Sequence, residues 1–157
     1  MLADTLVIVS SPTNRVLVLN GPNLGRLGSR EPDIYGSGTL DDLRTMLEAD
    51  AGALTIDLRQ TDDEAQLIHW LHEAVDSSTP VILNPAAFTH YSYALSDAAK
   101  LVTGAGIILV EVHLSNPHAR EEFRHTSVIS AVATGVIAGF GFDSYALALD
   151  LVKRRLA

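Results

Sequence analysis

The sequence contains no cysteine. That excludes disulfides, thiolate metal ligands and a thiol nucleophile, and leaves the redox compartment undetermined. Of eleven basic residues only Lys100 and Lys153 are lysines, so a Schiff-base or phosphate-loop lysine has few candidates. Neither a GxGxxG nor a GxxxxGK(S/T) pattern occurs, and both common nucleotide signatures are therefore missing. No run approaches the roughly 18 apolar residues of a membrane-spanning helix. Positive charge is short as well: nineteen acidic residues against eleven basic ones give −8 at pH 7. A phosphate backbone would be repelled, and no nucleic-acid partner is expected.

What is present is ordinary for a packed protein. At 157 residues and 47% apolar composition, the chain fits one domain of roughly 100–200 residues with a sizeable core. Residues 1–14 read as a peripheral extension. Their apolar stretch, Leu6 to Val9, lacks the positive flank of a signal peptide. Residues 15–157 are expected to form a single domain, and a cytoplasmic location is expected.

Punctuation along the chain predicts alternating strands and helices. Arg15 to Asn20 is a short β-rich run closed by Gly21-Pro22, a buried strand and a turn. Residues 21–38 hold five glycines and two prolines, and so long a connection is more often functional than incidental. Thr39 is placed to cap a helix containing Leu40, Leu43 and Leu47. Further strands are predicted at 54–58, 80–84, 106–113 and 134–139. Further helices follow Asp62 as a cap, run from about Ser92 to Leu101, and close the chain from Ser144 to Leu156. Strands without alternation are buried on both faces. The pattern predicts an α/β, flavodoxin-like fold: a five-stranded parallel sheet with helices on both faces.

Ligands bind such sheets beyond the carboxyl ends of the strands. Those ends carry Asn20, Asn23, Arg30 and Tyr35 after the first strand, and Asn84 and His90 after the third. The fourth brings Glu111, His113, Ser115, Arg120 and Arg124. Glu111, His113 and Ser115 are two apart and share one strand face. A carboxylate beside imidazole orients the ring and favours its charged form, which suits a general acid; a salt-bridged edge histidine is the bland alternative. Arg30 near Tyr35 would favour a phenolate base, against a loop tyrosine that merely packs its ring. His69 and His72 share a helix without a carboxylate cluster, so no metal site is expected. The set suits proton movement on a small hydroxylated anion, with no cofactor.

The run from Leu19 to Gly36, LNGPNLGRLGSREPDIYG, closely resembles the opening motif of type II 3-dehydroquinate dehydratases. Asn84 to His90 (NPAAFTH), Glu111 to Asn116 (EVHLSN) and Arg120 to His125 (REEFRH) resemble later motifs of that family, in order. The likeness covers residues 16 to about 155. It implies anti elimination of water from 3-dehydroquinate through an enolate, giving 3-dehydroshikimate in the shikimate pathway. By similarity Tyr35 is the base and Arg30 keeps it ionised. Asn23 holds a water against the enolate oxygen, and His113, supported by Glu111, protonates the leaving hydroxyl. Substrate binding carries over to Asn84, His90, Leu114, Ser115 and Arg124, with Arg120 organising the loop. Asp97 matches a residue that reaches a neighbouring subunit's site, and the family assembles as a homododecamer, a tetramer of trimers.

Four positions depart from the family pattern. Gly25 and Arg26 stand where Asn and Leu are frequent, Ala86 where glycine is common, and Ser96 where arginine is frequent. None removes a catalytic group. Three other readings compete: a lysine-imine route to the same product, a catalytically silent relative, and a flavodoxin-like binding module. Neither lysine lies at a strand end. A phosphate-accepting receiver domain would need acidic residues where Asn20 and Asn84 stand.

Overall fold

Along the first strand, β1 (Arg15–Asn20), successive side chains enter two different cores. Val16 and Val18 point into one and Leu17 and Leu19 into the other, all fully buried. The period-two geometry of a strand makes this division, and it needs a helical layer on each face. In the computed structural model, which describes residues 13–157, both layers are present. Helices α2 (Leu40–Asp50) and α5 (Asp143–Leu156) cover the valine face. Helices α3 (Glu64–Ser77) and α4 (Tyr93–Gly104) cover the leucine face. A short helix, α1 (Pro32–Tyr35), lies within the glycine-rich connection. The expected peripheral extension falls, for residues 1–12, outside the described part.

The remaining strands are β2 (Thr55–Gln60), β3 (Val81–Asn84), β4 (Leu109–His113) and β5 (Gly135–Ala138). All pairings are parallel, in the order β2-β1-β3-β4-β5. This is the flavodoxin-like order, and its switch lies between β1 and β3. Asn20 and Asn84, at the last paired position of those two strands, therefore open the crevice. Both are buried and share one partner. The Tyr145 hydroxyl donates to Asn20 Oδ1 at 2.7 Å and accepts from Asn84 Nδ2 at 2.8 Å. Burial pushes the Tyr145 phenol far above its ordinary pKa, although the Asn84 bond acts the other way.

Several expectations are corrected. Of the strands only β3 is buried at every residue, with β1 and β4 half-buried at one end; β2 and β5 are sheet edges, and Val136 of β5 is exposed. The fourth strand starts at Leu109, because Gly106 adopts a left-handed turn (φ +77°) after α4. Asp63, not Asp62, caps α3, accepting from Ala65 N at 2.9 Å. Thr39 caps α2 as expected and forms a full capping box with Asp42. Among the described residues, no helix is long and apolar enough to cross a membrane.

Candidate active site

A cleft of about 630 Å³, counted to its open mouth, lies over the ends of β1, β3 and β4. Ten of the twelve expected site residues line it: Asn23, Arg30, Tyr35, Asn84, His90, His113, Leu114, Ser115, Arg120 and Arg124. Glu111 lies beneath the floor, with no exposed surface. Asp97 is not in the cleft; it lies on the exposed side of α4.

The floor is built around Glu111. Burial of its carboxyl acts to raise the pKa, but hydrogen bonds from His113, Ser130 and Thr89, with the charge of His113, outweigh it. The net value lies below the usual carboxylate range. Oε1 accepts from Thr89 at 2.5 Å, His113 Nε2 at 2.7 Å and Ser127 at 3.1 Å; Oε2 accepts from Ser130 at 2.5 Å. An ionised carboxylate can only accept, so His113 carries its hydrogen on Nε2 and leaves Nδ1 free. This is a fixed imidazole with one nitrogen available. The expected triplet, however, divides: Ser115 bonds Arg120 Nη1 at 3.2 Å rather than joining Glu111 and His113.

His90 stands beside this pair in another state. Burial lowers its pKa; the bond to Thr126 O opposes that, and the charges of Arg124 and His113 reinforce it. Because a carbonyl only accepts, the 2.8 Å contact makes Nδ1 the donor. Nε2 of the neutral ring is then an acceptor for a substrate hydroxyl. Asn84 is more committed than expected. Its oxygen accepts from Ala86 N at 3.1 Å and its nitrogen donates to Tyr145, leaving one N–H for a ligand. Ala86 itself sits at φ +50°, a conformation costly for a residue with a Cβ. Gly21 shows the opposite fit, since a Cβ there would approach Pro85 O to 2.6 Å.

The outer wall belongs to the 21–38 connection. Tyr35 ends α1 and is half-buried. The Arg30 guanidinium lies 5.1 Å from its ring centroid and that of Arg120 lies 5.3 Å from it. Two guanidiniums thus face one phenol ring. Arg120 faces Tyr35 as well as bonding Ser115, a contact that the sequence did not suggest. Arg124 is held by Glu121 Oε2 at 2.7 Å.

Sequence reasoning missed Thr89, Ser127 and Ser130. Hydroxyls scattered over 42 positions carry no spacing signal, although a buried carboxylate at a strand end demands donors of this kind. Ser96, which replaces a frequent arginine, donates to Val128 O at 2.8 Å and ties α4 to the same segment. His69 and His72 are exposed on α3, and among the described residues no cluster suited to a metal occurs.

Comparison with known proteins agrees with this architecture. The family model "Dehydroquinase class II" matches residues 14–153. A 3-dehydroquinate dehydratase of Salinispora tropica is 58% identical over 143 residues, covering 90% of this chain and 98% of the relative. The crystal structure of a type II dehydroquinase from Propionibacterium acnes superposes with a TM-score of 0.84 at 50% identity, over 91% of this chain and 98% of the other. Another type II dehydroquinase, from Butyrivibrio crossotus, gives 0.84 at 39% identity over 88% and 97%. By these matches over nearly the whole described length, the chain belongs to the class II dehydroquinase family.

Proposed function

We propose that the cleft eliminates water from 3-dehydroquinate to give 3-dehydroshikimate, as a hydro-lyase of the shikimate pathway. The observation that carries the reading is the pairing of an imidazole fixed by a buried carboxylate with a phenol flanked by two guanidiniums. These are an acid and a base, the two groups that such an elimination requires.

The phenolate of Tyr35 removes a proton from the carbon beside the ketone, and the electron pair moves to the carbonyl oxygen as an enolate. Arg30 and Arg120, facing the ring, stand beside the charge that this step uses. Asn23 holds a water against the enolate oxygen, supplying a donor where negative charge develops. His113 gives its Nδ1 proton to the leaving hydroxyl, which departs as water while the enolate collapses to the conjugated enone. Glu111 stabilises the imidazolium beforehand. The proton gained by Tyr35 and the one lost by His113 balance through solvent before the next turnover.

His90 Nε2, the free N–H of Asn84 and Arg124 hold the ring hydroxyls. Leu114 and Ser115 hold the carboxylate, and Asp97 contributes to the site of a neighbouring subunit. The catalytic unit is a single domain from residue 15 onward, acting in the cytoplasm without a cofactor. The assembly is a homododecamer, a tetramer of trimers; the exposure of Tyr91 and Tyr93 near Asp97, and of Val136 on edge strand β5, supports burial against further copies.

Ultraviolet absorbance during incubation with 3-dehydroquinate tests the reaction. Enone absorbance should rise, and equally fast after borohydride treatment, since no imine takes part. Flat absorbance from folded protein would move the chain to the catalytically silent reading. Light scattering should give twelve chain masses, and a monomer would remove the assembly.

A further inference from the structure

Asp62 was expected to cap α3, but Asp63 has that task, and Asp62 is turned towards the β1 turn. Its Oδ1 accepts the backbone N–H of Asn23 at 2.8 Å and the Gln60 amide at 3.0 Å. Gln60 Nε2 also donates to Gly21 O at 3.2 Å. The last residue of β2 and the start of the following loop thus clasp both ends of the turn 21–23. Asn23 stands at φ +67°, a left-handed conformation that non-glycine residues hold only when their surroundings determine it.

Asn23 also precedes a 3-10 turn (Leu24–Arg26) at the cap position, yet its side chain makes no capping bond. An asparagine there ordinarily turns its side chain onto the next backbone N–H groups. Here the side chain makes no hydrogen bond among the described residues, and Asn23 lines the cleft. Gly25 completes the arrangement. A Cβ at that position would stand 2.9 Å from Gln60 Oε1, so a side chain there would press on the clasp.

We propose that Asp62, with Gln60 behind it, is a positioning residue for the elimination: it holds the Asn23 backbone in the left-handed conformation that leaves the Asn23 carboxamide free for the enolate-side water. The inference rests on the dehydratase reading of the cleft. Asp62 is exposed and touches the reaction only through Asn23, so its effect belongs to the enolate and not to substrate capture.

The test is a double-mutant cycle with 3-dehydroquinate. Asp62→Ala should lower kcat about tenfold to thirtyfold with KM changed less than about threefold, the pattern of a contact made chiefly in the transition state. Asp62→Asn, which keeps an acceptor oxygen, should stay within about threefold of wild type. Asn23→Gly removes the carboxamide while permitting the same backbone. In that background Asp62→Ala should have no further effect on kcat, because residues acting through one group are not additive. A full Asp62→Ala loss in the Asn23→Gly background would overturn the proposal, as would wild-type kcat in Asp62→Ala alone. Wild-type protein that fails to turn over 3-dehydroquinate would overturn the dehydratase reading itself, and the two failures are thereby told apart.

Discussion

The two sides of the cleft are built by opposite means. On the β4 side, Glu111 is fully buried and accepts four hydrogen bonds, and His113 is fixed by one of them. On the 21–38 side, Tyr35 is half-buried and meets its arginines across the ring rather than through a bond to its hydroxyl. A general acid must hold its proton at one atom in one direction, and a dense network provides that. In the proposed elimination the base instead stands on a surface connection, faced by two guanidiniums and held by no bond to its hydroxyl. In the proposed reaction the densely bonded side serves the leaving group, and the less bonded connection serves the carbon that loses a proton.

Removing the base should have the largest effect. Tyr35→Phe is expected to fold and assemble as wild type while losing turnover by roughly 10²–10⁴. Retention of more than about a tenth of the wild-type rate would remove Tyr35 from its role. On the other side, Glu111→Gln should lower kcat about a hundredfold, because a neutral amide no longer stabilises the imidazolium.

The same variant tests the acid dependence of stability. The Glu111 pKa in the folded protein lies below its ordinary value of 4.5. Its contribution is therefore complete above that value and is lost as pH falls through the depressed one. Wild-type thermal midpoints should drop in acid more steeply than those of Glu111→Gln; parallel curves would show that the network does not bind the ionised form preferentially.

Arg30→Ala should cost about tenfold to a hundredfold in kcat and be partly restored in Arg30→Lys, which keeps the charge. Equal losses in both variants would make geometry, not charge, the reason for the arginine. Ser130→Ala leaves Glu111 Oε2 without its donor and should destabilise the fold by about 1.5–3 kcal/mol in denaturant unfolding. The smallest effect is expected at the turn after β3. Ala86→Gly should stabilise by about 0.5–1 kcal/mol if relief of the left-handed strain outweighs the added freedom of the unfolded chain; a lower midpoint would mean that the strain is negligible.

The order of strands and helices was legible because apolar runs and glycine or proline turns carry it locally. Arg15–Asn20 was placed to the residue, and Thr39 announced the start of α2 as its cap. Edge strands were less legible, since β2 and β5 differ from the interior only in what lies beyond them. The site residues were named largely through motif resemblance, and the cleft gathers ten of those twelve. What surrounds them was hidden. Ser130 meets Glu111 across nineteen positions and Asp62 meets Asn23 across thirty-nine, distances at which a single sequence carries no pairing signal. Asp62 and Asp63 were interchangeable as helix caps by chemistry alone, and only the approach of the 21–23 turn distinguishes them.

In the proposed elimination, base and acid act from different sides of the bound substrate. The deciding probe is 3-dehydroquinate with deuterium at one of the two methylene hydrogens between the ketone and the carbon that bears the leaving hydroxyl. Elimination with Tyr35 on one face and His113 on the other predicts loss of the label anti to the departing hydroxyl and its retention when placed syn. Loss of the syn label with retention of the anti one would rule out this arrangement, because a single side would then serve both proton transfers.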